Sequence, residues 1–264
     1  MKKANQLITL LCLLMFFNRM TAQTIFLMGD STMADYADNY EPGKSYLNTR
    51  YPVTGWGQVF RPYIQKDSIK KLKGLLKKNK KYHLVNLARG GRSTRTFFQE
   101  GRWRKVYENL QKNDLVLIQF GHNDAAETKT ERYVPLEGFK EFLRFYSELI
   151  KSKGAIPVLL TPVARNYPWK DGVLEDVHGD YDKAVKEVAL ETKTLLLDLN
   201  KRSREFFTKE GKEKSSTAYF MNFSAGIYEA YPEGSNDNTH FQTKGAEAVA
   251  QLVFDGLKSL VDEL

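Results

Sequence analysis

The sequence predicts an α/β fold built on a parallel sheet, on three observations. Short apolar runs recur along the chain. Amphipathic segments of helical period lie between them. No internal repeat and no Gly/Ser/Pro linker interrupts the alternation. The runs are mostly apolar rather than alternating, as strands covered on both faces tend to be. They are Ile25–Met28, His83–Leu87, Leu115–Phe120, Ile156–Leu160 and Leu195–Leu199. Helical patterns occupy Trp56–Ile64, a segment ending at Val106–Leu110, Phe139–Lys151, Tyr181–Glu191 and Ala246–Leu260. The third is the clearest, with Phe139, Phe142, Leu143, Tyr146, Leu149 and Ile150 on one face. Gly154 stands where a helix would end in a left-handed cap. In such a sheet the ligand site is expected beyond the carboxyl ends of the strands.

Composition sets the outer bounds. The chain has 264 residues, 42% hydrophobic, 12% aromatic and 27% charged, which excludes disordered, collagenous and coiled-coil classes. Its single cysteine excludes a disulfide framework and any multi-cysteine metal site. Met1-Lys2-Lys3, the apolar stretch Leu7–Phe17 and Met20-Thr21-Ala22 have the three parts of a secretory signal peptide, with cleavage near Ala22 or Gln23. The apolar stretch is short for a membrane span. Residues 1–22 are therefore expected to be a removable leader and 23–264 a single domain, placed in the periplasm or outside the cell. Cleavage would remove Cys12 and three cations but no acid, lowering the formal charge from +8 to +5.

The cations crowd into Lys66–Lys81, read as a solvated helix face and loop or as a patch for a polyanion. Nucleic acid is not the expected partner of an exported chain without a binding motif. Residues 162–236 are rich in Tyr, Trp and Asn and are expected to include a substrate-side elaboration.

No dinucleotide, Walker or HExxH motif for a cofactor or metal is present, and no GxSxG. Four histidines remain. His83 opens an apolar strand, and His178 sits among Glu175, Asp176 and Asp180, read as a solvated acidic turn rather than a metal cluster. His122 and His240 are left for site chemistry.

Four polar segments stand where strands or helices should begin or end. Gly29-Asp30-Ser31 follows the first strand; it suits an exposed nucleophile or an ordinary helix cap. Gly90-Gly91-Arg92-Ser93 follows the second, where paired glycines allow positive φ and close approach to a ligand, or a plain turn. Gly121-His122-Asn123-Asp124 follows the third; Asn123 can aim an amide at an oxyanion or form an Asx-turn. Asp237-Asn238-Thr239-His240 precedes the final helix. A spacing of three on a turn or helical start would let the carboxylate orient the imidazole, unless the two are unrelated loop residues.

Taken in order, these segments resemble the SGNH (GDSL-like) hydrolase superfamily, and within it the rhamnogalacturonan acetylesterases. The likeness rests on Gly29-Asp30-Ser31-Thr32-Met33-Ala34, Gly55-Trp56-Gly57, Gly91-Arg92-Ser93, Glu100-Gly101-Arg102, Phe120-Gly121-His122-Asn123-Asp124 and Thr239-His240. It runs from about Thr24 to the last helix and is weakest across 162–236, where Tyr167-Pro168-Trp169 stands for a family Asn-Pro-Trp.

The resemblance implies a three-layer α/β/α, flavodoxin-like sandwich with a five-stranded parallel sheet. It implies a metal-free serine esterase removing O-acetyl groups from a pectic polysaccharide. Ser31, Asp237 and His240 would be catalytic, and Ser31, Gly91 and Asn123 would form the oxyanion hole. His122 is the rival base. Arg92, Arg102, His122 and Trp169 are expected to meet the sugar, the arginines through its carboxylates, although structural ion pairs and core packing suit them equally. The expected partner is an acetylated acidic plant polysaccharide, met by a monomer. An acetylxylan esterase, a lysophospholipase or lipase, and a non-catalytic glycan-binding protein are the alternatives.

Overall fold

A computed structural model describes residues 22–37, 40–72, 74–76 and 82–262. The expected leader lies outside the described residues except for Ala22, as do Lys73, Lys77, Lys78, Lys80 and Lys81 of the basic run.

Five parallel strands form the central sheet: β1 (Gln23–Gly29), β2 (Tyr82–Asn86), β3 (Leu115–Gln119), β4 (Ile156–Leu160) and β7 (Leu195–Leu197). Their order is β2-β1-β3-β4-β7. The chain leaves β1 to one side for β2 and returns to the other side for β3. The crevice at that reversal is where a doubly wound sheet binds its ligand.

The apolar runs of β1, β3 and β4 are explained by burial on both faces. Ile25, Leu27, Leu115, Leu117, Val158 and Leu160 belong to one core, which the C-terminal helix α6 (Thr243–Asp262) covers with Val249, Ala250, Val253 and Leu257. Phe26, Met28, Val116, Ile118 and Leu159 belong to the opposite core. That core is closed by α1 (Thr94–Gln99), α2 (Arg102–Asn109), α3 (Leu136–Ser152) and α4 (Asp180–Thr192). Two cores on either side of one sheet make the three-layer α/β/α sandwich. Each fully buried Leu, Ile or Phe adds about 1.5–3 kcal/mol.

Three expectations need revision. Residues 56–64 are not a helix but a chain of turns ending in a 3-10 turn, Arg61–Ile64. The reason is Gly55 and Gly57: a Cβ on Gly55 would sit 2.2 Å from the Ala34 carbonyl, and one on Gly57 2.4 Å from that of Met33. The segment lies backbone to backbone on the turn after β1, with Trp56 N–H donating to the Thr32 carbonyl at 2.9 Å. The strand expected over 195–199 stops at Leu197, because the Asp198 carboxylate accepts from Lys201 N–H at 3.1 Å and caps a further helix, α5 (Leu199–Glu210).

Third, His178 does not lie in a solvated turn: it is 5% exposed. Residues 162–241 also supply two hairpins. One pairs β5 (Trp169–Lys170) with β6 (Val173–Leu174). The other pairs β8 (Phe220–Phe223) with β9 (Ser235–Phe241).

Candidate active site

The loops after β1, β2, β3 and β4, together with β9, enclose one cavity of about 650 Å³. Ser31, Gly91, Arg92, His122, Asn123 and His240 all line it. A hydroxyl from the start of the chain and an imidazole from near its end thus share a single pocket.

Ser31 sits in a turn held from below. Asp30 is fully buried; its Oδ1 accepts from Thr32 N–H at 2.9 Å and from Thr32 Oγ1 at 2.8 Å. Thr32 Oγ1 accepts from Gln119 Nε2 at 2.6 Å, and Gln119 Oε1 accepts from Trp56 Nε1 at 2.8 Å. A chain of hydrogen bonds therefore ties the turn to β3 and to the Gly-Trp-Gly segment. Tyr36 Oη donates to the Ser31 carbonyl at 3.0 Å. Burial pushes the Asp30 carboxyl up to about 6, against hydrogen bonds from Thr32 that lower it.

The other loops are fixed just as locally. Gly91 adopts φ +78°, and a Cβ there would approach Arg132 Nη1 at 3.3 Å. The neighbouring Gly90 N–H is engaged by Tyr40 Oη at 3.1 Å. Asn123 Nδ2 donates one of its two N–H groups to the Arg92 carbonyl at 2.9 Å, which orients the amide. Asp124, fully buried, clamps two loops together. Its Oδ1 accepts from Thr94 N–H at 2.8 Å and Thr94 Oγ1 at 2.6 Å, and its Oδ2 from Gly121 N–H at 3.1 Å. Burial pushes its carboxyl up to about 7.

Asp237 and His240 do meet, but not on a turn or helical start: both belong to strand β9. In a regular strand, positions three apart face opposite ways. Here Met221 pairs with Asp237 while the adjacent Phe220 pairs with Phe241, so one step on β8 spans four on β9. Asn238, Thr239 and His240 form the excursion. Asp237 Oδ1 accepts from the backbone N–H of Thr239 at 2.7 Å and of His240 at 3.1 Å, while Oδ2 accepts from His240 Nδ1 at 2.6 Å. Burial would raise the Asp237 carboxyl, but these bonds outweigh it and hold the group at about 2. The excursion is fastened by Asn238, whose Oδ1 accepts from Asn166 Nδ2 and Asn222 Nδ2, each at 2.9 Å.

His122 is 4% exposed, and its Nδ1 accepts from Arg165 Nε at 3.2 Å. The Nε2 of His178 lies 3.2 Å from the same nitrogen. Arginine can only donate, so Nδ1 is the acceptor and the proton sits on Nε2. Burial, then the charges of His178 and Arg165, push its pKa well below the ordinary value.

Two expected sugar contacts lie elsewhere. Arg102 lines a second cavity of about 480 Å³, with Nε 3.0 Å from Glu100 Oε2 and Nη1 donating to the Leu87 carbonyl at 3.1 Å. Trp169 packs against the core, and its Nε1 donates to Asn166. Arg92 does line the site cavity, with Nε 2.9 Å from both Glu100 oxygens. Sequence reading missed Arg165, Asn166, His178 and Asn238, because nothing in their spacing announces the contacts they make.

Chemically, the arrangement offers a hydroxyl, a carboxylate-oriented imidazole and amide donors around one space, the parts of a nucleophilic acyl-transfer site. The family described as GDSL-like Lipase/Acylhydrolase matches residues 25–253. The probable rhamnogalacturonan acetylesterase YesY of Bacillus subtilis (strain 168) is 37% identical over 240 residues, covering 90% of this chain and 94% of that protein. The rhamnogalacturonan acetylesterase RhgT of the same organism is 34% identical, covering 89% and 90%. Among solved structures, the protein YxiM of Bacillus subtilis superposes with a TM-score of 0.71 at 28% identity, over 91% of this chain and 57% of that one. The acetylxylan esterase Axe2 of Geobacillus stearothermophilus gives 0.57 at 17% identity, over 89% and 94%, a likeness of fold alone. With this match across most of its length, the chain belongs to the GDSL-like lipase/acylhydrolase family and is a carboxylic ester hydrolase.

Proposed function

We propose that the protein is an exported carbohydrate O-acetylesterase that acts on acetylated acidic pectic polysaccharide of the rhamnogalacturonan type. One observation carries this reading: the cavity that holds Ser31 and His240 is lined by Arg50, Arg89, Arg92, Lys129, Arg132 and Arg165 and, among the described residues, by no carboxylate. Such a lining attracts a polyanion and suits neither an acyl-chain groove nor an uncharged xylan backbone. The names of the relatives YesY and RhgT point the same way. The apolar leader supports export, and a processed N-terminus near Ala22 or Gln23 on protein recovered outside the cytoplasm would test it.

Ser31 Oγ attacks the acetyl carbonyl carbon as His240 takes its proton. The tetrahedral intermediate collapses, and the leaving sugar oxygen takes that proton from His240. Water then gives a proton to His240, attacks the acetyl-enzyme and releases acetate, and the proton returns to Ser31. Asp237 holds the imidazole with Nδ1 protonated and Nε2 open, and stabilises the cation that forms. The negative oxygen is met by the N–H of Ser31, the N–H of Gly91 and the Asn123 amide, each worth roughly 3–4 kcal/mol of barrier. The engagement of Gly90 N–H by Tyr40 favours Gly91 for this role.

Purified protein should release acetate from acetylated rhamnogalacturonan well above acetylated xylan, and Ser31→Ala should abolish release while leaving the fold intact. Equal release from both polymers would remove the pectic assignment. An active Ser31→Ala enzyme would remove the mechanism.

A further inference from the structure

Among the cations of the cavity, Arg165 is held by three hydrogen bonds to uncharged groups. Arg50 and Arg92 make ion pairs with Glu41 and Glu100, and Arg89 donates to the Tyr40 carbonyl and lies over the Tyr40 ring, 3.5 Å from its centroid. Arg165 has no ion pair within 4 Å among the described residues; its partners are all uncharged groups. Nε donates to His122 Nδ1 at 3.2 Å, Nη2 to the His122 carbonyl at 3.2 Å and Nη1 to Tyr167 Oη at 2.7 Å. Those bonds use three of the five guanidinium N–H groups and leave one on each Nη nitrogen, a matched pair for the two oxygens of one carboxylate.

The imidazole beneath Arg165 is itself fixed. With His122 Nδ1 an acceptor, His178 Nε2 at 3.2 Å faces it as a donor, and the Asp176 carboxylate lies 3.4 Å from His178 Nδ1. The rings of His122 and His178 meet edge to face, with centroids 4.6 Å apart. Burial lowers the pKa of both imidazoles, the Asp176 carboxylate offsetting this only in part at His178. The Arg165 Nε donor keeps the Nδ1 of His122 as an acceptor, and the packed His178 ring holds that imidazole in place. Tyr167 supplies the third hold.

We propose that Arg165 is the specificity-determining residue of this cavity, gripping through its free fork the carboxylate of the uronate beside the acetylated sugar, with His122, His178 and Tyr167 as its positioning residues. This rests on the pectic reading above and names the group that would recognise the acid. Arg165 is half-buried, lines the cavity with Ser31 and bonds to the residue next to Asn123. A carboxylate held there lies beside the reacting ester rather than on the outer surface.

The test uses acetylated rhamnogalacturonan oligosaccharides with free carboxylates and the same oligosaccharides methyl-esterified. The wild-type enzyme should show at least a tenfold higher kcat/KM on the free acid, mostly through KM. Arg165→Gln should bring that ratio below about two. Arg165→Lys, which keeps the charge without the fork, should fall between. His178→Phe should raise KM on the free acid with little change in kcat, and His178→Gln, which keeps a donor, should restore it. A wild-type ratio near one, or a ratio unchanged in Arg165→Gln, would overturn the proposal, and the first of these needs no variant. A wild-type enzyme that releases acetate from neither substrate would instead overturn the pectic reading itself.

Discussion

Two histidines line the same cavity and differ in almost every property that matters for catalysis. His240 is about one-third exposed, and its Nδ1 faces a carboxylate at 2.6 Å. His122 is buried, and its Nδ1 is occupied by a guanidinium and a second imidazole. A base needs an open lone pair and a neighbour that stabilises its cation. His240 has the neighbour and, with its proton drawn to Nδ1, presents Nε2 as the lone pair. In His122 the one lone pair is already spent on Arg165, and the charges around it are positive. Proximity to Asn123 made His122 a rival in the sequence; its surroundings favour His240 as the base of the proposed mechanism.

That contrast can be broken by experiment. His240→Ala should lower kcat by roughly 10⁴-fold or more, and His122→Ala should cost about tenfold, the scale of one hydrogen bond. The reverse ranking in steady-state kinetics would exchange their roles. Asp237→Asn should come next, at roughly 10²–10⁴-fold in kcat, since it removes the cation's stabilising charge. An unchanged kcat there would mean that the excursion in β9 orients His240 without help from the carboxylate.

The smallest effect sharpens the comparison by stability rather than rate. Asp124, whose carboxyl is pushed up to about 7, binds a proton more tightly folded than unfolded. Its contribution is therefore fully present below about pH 4 and is lost as pH rises toward about 7. Burial of His122 and His178 acts in the opposite sense over part of that range. The stability of Asp124→Asn relative to the parent should thus rise between pH 4 and 7, read as a difference in Tm. A difference that stays flat would show that Asp124 carries its charge in the folded protein.

Strands β1, β3 and β4 were legible to within two residues, because a strand buried on both faces is mostly apolar. Ser31, Gly91 and Asn123 were legible for a related reason: each follows a strand at the carboxyl edge of the sheet. The helical reading of 56–64 failed because Gly55 and Gly57 serve close backbone approach, a demand set by the turn at Met33 and Ala34. The solvated reading of His178 failed because its acidic neighbours in sequence are not its neighbours in space. One of them, Asp176, stays near, while the ring itself turns inward onto His122.

From the chain alone came the α/β parallel sheet and the residues at the ends of the strands, since hydrophobic period and local turn chemistry act over a few positions, while the layering and the reaction class came from the family those segments resemble. Only the folded molecule decided that Asp237 and His240 face each other, through a break in strand register, and that Arg165 stands on a pair of imidazoles inside the cavity. Those contacts join segments tens of residues apart, or depend on pairing with another strand, and no local pattern encodes them.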